Sequence, residues 1–292
     1  MKKAFILLLF IAAAVPFFSC SKDSDDTLQD EPMLIIKFKF DPTQARLNNL
    51  GEATTVPAGN AAQSPIFNTI GSHYIELAPN ANTQLGSGTI LYHGEETVLG
   101  GDNAIDFNDE KVVAQGETFL KIPLSQVATG EYEWMRVSLA YQNYQISVHH
   151  QGVDYMGTLA SFVGFNTYLT MFNIGNNTFL VNGNKAQGYW AFALNDQPYA
   201  SSGQADANAT TVPNPLHATS AIQNKSCVVT GKFANKLIID GTEKKDVVIT
   251  LSLSINTSFE WHEVTADGKY EPSIGENVVD MGLRGLIPSY VK

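Results

Sequence analysis

The residues in this chain best suited to chemistry are its six histidines and the acids beside them. Neutral imidazole is the commonest side-chain ligand of transition metals. His93 opens the run His93-Gly94-Glu95-Glu96, a turn with three ligand-bearing side chains. His73 and Glu76 share the short stretch His73–Leu77, and on a regular strand residues three apart point to opposite faces. His149 and His150 are adjacent, so a strand turns only one of them toward any given site. His262 stands between Trp261 and Glu263. Taken singly, each is ordinarily a surface histidine. Taken together, His73, His93 and His262 are candidate ligands of one shared copper or zinc site. Copper favours histidine with methionine, and Met156, Met171 and Met281 are available.

Two other binding chemistries are present in outline. Glu263, Thr265, Asp267, Gly268 and Glu271 place oxygens at alternating positions around a glycine, as in half of an EF-hand calcium loop. The first position is Glu and the twelfth is Ile274, so a hairpin turn at Asp267-Gly268 is the preferred reading over calcium. Exposed aromatic rings stack on sugars, and Trp134, Trp190 and Trp261 each sit where one face of a strand could present them for glycan binding. Enzymatic signatures are missing. The sequence has no Gly-rich phosphate loop, no G-x-S-x-G, no H-E-x-x-H and no paired-cysteine zinc pattern. Glycosidase carboxylates have no fixed spacing, and no pair is singled out here. The expectation is a binding protein and not an enzyme.

The N-terminal stretch speaks to location. Lys2 and Lys3 precede an apolar run from Phe5 to Phe18, shorter than the roughly 20 residues a membrane-spanning helix needs. That pattern is a secretory leader. Phe17, Phe18 and Ser19 make a poor A-x-A cleavage site, whereas Ser19 before Cys20 suits a lipoprotein signal, with Cys20 acylated as the first mature residue. Residues 1–19 are then the signal peptide and 20–32 a lipidated acidic linker. Ser21 to Asp26 is polar and mostly charged, as a solvated tether should be. A lysine followed by aspartates behind such a cysteine resembles the surface-export signal of Bacteroidetes lipoproteins. Asp26-Thr27-Leu28 resembles an O-glycosylation triplet of that phylum. The resemblance implies an anchor on the outer face of the outer membrane. Several acyl chains hold firmly, at about 0.8 kcal/mol per buried CH₂.

Composition narrows the partners. The net charge is −11, and loss of Lys2 and Lys3 with the leader makes the mature chain more acidic still. Such a surface repels nucleic acid and anionic headgroups. With Cys20 acylated, Cys227 has no disulfide partner, and its neighbours Val228 and Val229 mark it as a buried strand thiol.

Strands must position all of these side chains. Met33–Phe40 alternates, with Ile36, Phe38 and Phe40 opposed to Lys37 and Lys39. Further strands are expected at 73–77, 89–93, 118–123, 132–148, 178–181, 188–194, 226–233, 236–240, 246–255 and 259–264. The run 132–148 changes register at Asn143, which predicts a bulge or bend. Residues 156–171 read as short helix, strand or irregular chain. Residues 48–65 and 196–225 read as long loops. The sum is an all-β fold, an antiparallel β-sandwich with long loops, occupying residues 33–292 as a single domain.

Several segments together carry a family likeness. IPLSQVATGEYEWMRVSL (122–139), GYWAFAL (188–194), CVVTGKF (227–233) and DVVITLSLSINTSFEW (246–261) resemble, in chain order, strands of the methanobactin-partner-like (MbnP-like) family. The resemblance implies a secreted β-sandwich that binds copper, in some members beside a dihaem enzyme that oxidises a tryptophan. Trp190 and Trp261 fall in the similar segments. The closing VVDMGLRGLIP (278–288) departs from that family and looks like the constant end of another lipoprotein group. The remaining expectations are a glycan-binding accessory lipoprotein of a nutrient-uptake system and a structural or adhesin-like surface component.

Overall fold

Leu34, Ile36, Phe38 and Phe40 of β1 (Met33–Asp41) are buried, while Lys39 between the last two is exposed. That period of two sets the layer on which the core is built. The structure is a computed structural model and describes residues 31–48, 50–205 and 225–292. The apolar leader, Cys20, most of the acidic tether and most of the 196–225 segment lie outside those residues.

β1 sits inside a four-stranded sheet. It pairs in parallel with β16 (Val247–Ser254) and antiparallel with β8 (Thr118–Pro123), and β19 (Arg284–Val291) closes the far edge. Val247, Ile249, Leu251 and Leu253 continue the apolar face of β1. Each such side chain, fully buried, contributes about 1.5–3 kcal/mol relative to exposure.

This face packs on a larger sheet whose spine is β9 (Gly130–His150). One edge of β9 takes β3 (Ile66–Ala78), which in turn pairs with β4 (Thr89–His93) and β7 (Val112–Ala114). Its other edge takes two partners in succession. β15 (Cys227–Ile239) runs beside Gly130–Leu139, and β10 (Val153–Phe162) runs beside Tyr141–His150. The change falls at Ala140, whose carbonyl accepts the backbone N–H groups of Val163 (2.9 Å) and Gly164 (3.2 Å). The β3–β9 ladder shifts register at Ala140 and also opposite Asn143 and Tyr144, where a break was expected. β13 (Tyr189–Leu194) and β14 (Ala200–Gln204) extend the sheet beyond β10.

Two small sheets complete the layers. β2 (Asn60–Gln63), β17 (Phe259–His262) and β18 (Val278–Met281) cover Tyr144, Ile146 and Val148 of β9. β5 (Glu96–Thr97), β6 (Ala104–Asp106), β11 (Asn166–Ile174) and β12 (Asn177–Ala186) form the other, whose β11 packs through Leu169 and Phe172 on Tyr141 and Phe162. The antiparallel sandwich read from the sequence is the architecture found, with an eight-stranded central sheet.

Several local expectations need correction. The 48–65 segment holds β2, and the 196–225 segment begins with β14, because both short strands find an edge to pair with. The ambiguous 156–171 segment takes two of the readings open to it, strand in β10 and the start of β11 with irregular chain at 163–165 between them. Asp267-Gly268 is a turn, but not a hairpin tip, since fifteen residues (263–277) join β17 to β18. Cys227 is buried as expected, and burial pushes its thiol up to about 12.

Close approach between sheets is sharpest at Gly231 of β15. A Cβ there would lie 2.3 Å from the Leu286 carbonyl oxygen and 2.7 Å from Pro288 Cδ. Neither atom is the free end of a flexible chain. Gly231→Ala should therefore cost about 2 kcal/mol in urea unfolding. An unchanged midpoint would show that the two sheets are not packed this tightly.

Candidate metal centre

His73 owes its direction to a bulge. Ser72 pairs with Leu139 and Tyr74 with Ser138, so His73 is the extra residue that the ladder leaves out. Bulges of this kind re-aim a side chain. Tyr74 pairs with His93 at the end of β4, and the Gly94 N–H donates to the His73 carbonyl at 2.7 Å. The turn after β4 is thereby tied to the bulge. Two residues later the chain enters β5, and Glu96 pairs with Ile105.

These three local events bring His73, His93 and Glu96 together. Their ligand atoms lie within 4.8 Å of one another, the one such cluster of three His, Cys, Asp or Glu groups among the described residues. Glu96 Oε1 is 3.1 Å from His73 Nε2 and 3.8 Å from His93 Nε2. The imidazole rings meet edge to face at 4.6 Å. Phe165 covers His73 at 5.6 Å.

The hydrogen bonding leaves the inward atoms free. His93 Nδ1 lies 3.0 Å from the Gly94 carbonyl oxygen; as the donor it fixes the tautomer whose Nε2 carries the lone pair. Glu96 Oε2 accepts from the Asn103 amide, so Oε1 faces the rings. His73 is 2 % exposed, and neither of its ring nitrogens has a hydrogen-bond partner. The contact with Glu96 is close but off the hydrogen-bond direction. Burial holds the His73 imidazole down at about 4, with His93 acting in the same sense and Glu96 opposing. It is neutral at neutral pH, which is the form that ligates metals. Two imidazoles and a carboxylate with unpaired inward atoms suit a divalent transition metal of the copper or zinc type.

Behind His73 stands a residue that the sequence did not flag. A Cβ on Gly94 would lie 3.3 Å from His73 Cδ2, 3.4 Å from Tyr92 Oη and 3.5 Å from Glu110 Oε2. Glycine at 94 thus lets His73, Tyr92 and Glu110 close around one point. Glu110 is deeply placed, and neither carboxylate oxygen has a hydrogen bond of sound geometry. Desolvation pushes its carboxyl up to about 8, and the Ser72 backbone offsets this only in part. In the sequence it was one of several acids in a loop, with nothing to mark it.

The other candidates lie elsewhere. His262 is exposed on the three-stranded sheet, opposite Asn60, and does not join the cluster. His149 faces Asp154 and Lys269, and His150 lies against Ser273. Met156 pairs with Ser147 and Met171 with Leu180, while Met281 lies in the core beside Phe259. The donor set is nitrogen and oxygen, without thioether. The calcium-like loop is closed on itself. Glu263 accepts the Gly268 N–H, and the buried Glu276 accepts those of Val264 and Glu271. Trp261 is fully buried against Phe259 and Tyr270, so it offers no stacking face. Trp190 is half-buried and lies across Gly203 of β14. His73 and Glu76 reach different surroundings, as their spacing implies. Glu76 accepts from Tyr74 Oη (2.8 Å) and from the N–H groups of Gly86 (2.8 Å) and Gly88 (2.6 Å), with Arg136 Nη1 at 3.7 Å.

No protein-family profile, no curated protein and no solved structure matches the chain.

Glu110 gives a test that needs no ligand. Its folded carboxyl holds a proton more tightly than the unfolded one, so the native state carries an extra proton between about pH 4.5 and about 8. Stability should be full below that window and fall as pH rises through it, by on the order of 5 kcal/mol. Glu110→Gln should flatten the slope in metal-free unfolding measurements. A variant with the wild-type slope would place the titration elsewhere.

Proposed function

We propose that the protein is a lipid-anchored surface module that binds a divalent transition metal, copper(II) first, through His73, His93 and Glu96. The observation that carries this reading is the pair of unpaired nitrogens on buried His73, facing a second imidazole and a carboxylate whose other atoms are already held. A buried imidazole without partners costs stability unless something ligates it. Among divalent metals copper binds such donors most tightly, ahead of zinc. The likeness of segments 122–139, 188–194, 227–233 and 246–261 to the MbnP-like family points the same way. The absence of thioether donors at the cluster favours copper(II) over copper(I). The reading is of a binding module and not an enzyme. The leader and Cys20 support a lipid anchor in the outer membrane, exposed at the cell surface.

The mature chain should bind one copper(II) and show nitrogen hyperfine coupling in its electron paramagnetic resonance spectrum. His93→Ala, at an exposed position, should weaken binding by about a hundredfold while leaving the fold intact. His262→Ala should change nothing. A wild-type protein without tight copper or zinc would refute the metal reading. Cys20→Ser should move the protein from the membrane fraction to the soluble one, and a variant still in the membrane would refute the anchor.

A further inference from the structure

A second place on the molecule has the chemistry of a binding site, and it shares no residue with the metal cluster. Where β11 stands over β9 and β10, an open cleft of about 710 Å³ runs between them. None of its fourteen lining residues is Asp, Glu, Lys, Arg or His. In a chain with 29 acids and 18 lysines and arginines, that is a strong local exclusion of charge.

What replaces charge is a set of carboxamides and hydroxyls. Asn68, Asn108, Asn143 and Asn173 line the cleft together with three threonines. They are held in place by one another and by neighbours. Asn68 Nδ2 donates to Asn143 Oδ1 at 2.8 Å, and Asn143 Nδ2 donates to Tyr141 Oη at 3.2 Å. Thr170 Oγ1 donates to Asn108 Oδ1, and Asn108 Nδ2 donates to Asp106 behind the lining. A carboxamide offers two donors and two lone pairs, so each is oriented and keeps capacity to spare. Burial holds the Tyr141 phenol up at about 12, so it stays a neutral hydroxyl. Phe107 supplies a half-buried ring, backed by Tyr141 at 4.9 Å and Phe162 at 5.1 Å.

This lining selects by what it would leave unpaired. An anion finds no cation, and a cation finds no carboxylate. A purely apolar ligand would desolvate four amides without compensation. A pyranose meets both demands, with hydroxyls around its rim and an apolar C–H face for an aromatic ring. The volume lies within the range of small-ligand sites, enough for a few sugar units. We infer that this cleft binds a neutral oligosaccharide. The site differs from the tryptophan face expected from the sequence, since it rests on asparagines and Phe107.

The test uses the mature chain and calorimetric titration with maltohexaose, cellohexaose, xylohexaose and mannohexaose, with tetragalacturonate as the acidic control. At least one neutral oligosaccharide should bind, and the acidic one should not. Asn108→Ala, at an exposed position, should weaken binding by about tenfold or more, and Phe107→Ala by at least as much. Circular dichroism checks that both variants are folded. His93→Ala should bind sugar as the wild type does, which separates this site from the metal. No neutral sugar bound at millimolar concentration would overturn the inference. So would equal binding of tetragalacturonate, or binding that survives Asn108→Ala.

Discussion

The ladder between β3 and β9 is the constraint on which the other layers depend. Both strands are long, and β9 is buried on both faces from Met135 to Gln142. A strand enclosed in that way has no solvent face to absorb an error of register. The ladder nonetheless contains irregularities, at Asn68, at Ala140 and at His73. Each has a local reason. At Asn68 a carboxamide reaches across to Asn143. At Ala140 the carbonyl turns to the loop that follows β10 and lets β9 exchange one partner for another. At His73 the side chain is released toward β4 and β5. Both candidate sites are built beside these interruptions, where the sheet stops being regular.

The buried acids and imidazoles of this protein differ in how fully they are paired. Glu76 and Glu260 are satisfied. Glu76 collects a phenol and two backbone amides, and Glu260 collects Arg46, Asn60 and the more distant Arg284. Such groups tie loops to strands, and removing one partner would strand the other. His73 and Glu110 are not satisfied, and they lie close together around Gly94. Other buried polar atoms also lack partners, but here an imidazole and a carboxylate do so side by side, which is the donor chemistry of a metal site.

Much of the scaffold was legible in the letters. Clean alternation in Met33–Phe40 and Asp246–Ile255 identified the two strands that form the heart of the smaller sheet. The turn His93-Gly94-Glu95-Glu96 identified two of the three clustered ligands. What the letters hid was mostly non-local. Asn60–Gln63 is too polar to read as strand and becomes one only because β17 offers an edge. The bulge that turns His73 depends on β9, sixty-odd residues further on, and His262 looks equivalent to His73 until the sheets are assembled. Trp261 lies in a segment that alternates well, but alternation does not say which face is covered by a second layer. Glu110 carries no sequence signal, because its environment is made by residues 71, 92 and 94 from another part of the chain.

The place of β1 has a mechanical consequence. It is the first strand after the N-terminal thirty residues, and it is hydrogen-bonded along both edges, to β16 and to β8. A pull on its N-terminal end acts along the strand axis. Interstrand bonds run across that axis, so both ladders resist together in shear instead of opening one bond at a time. A fold tethered through this end would transmit force into the middle of a sheet, where detachment requires many bonds to fail at once.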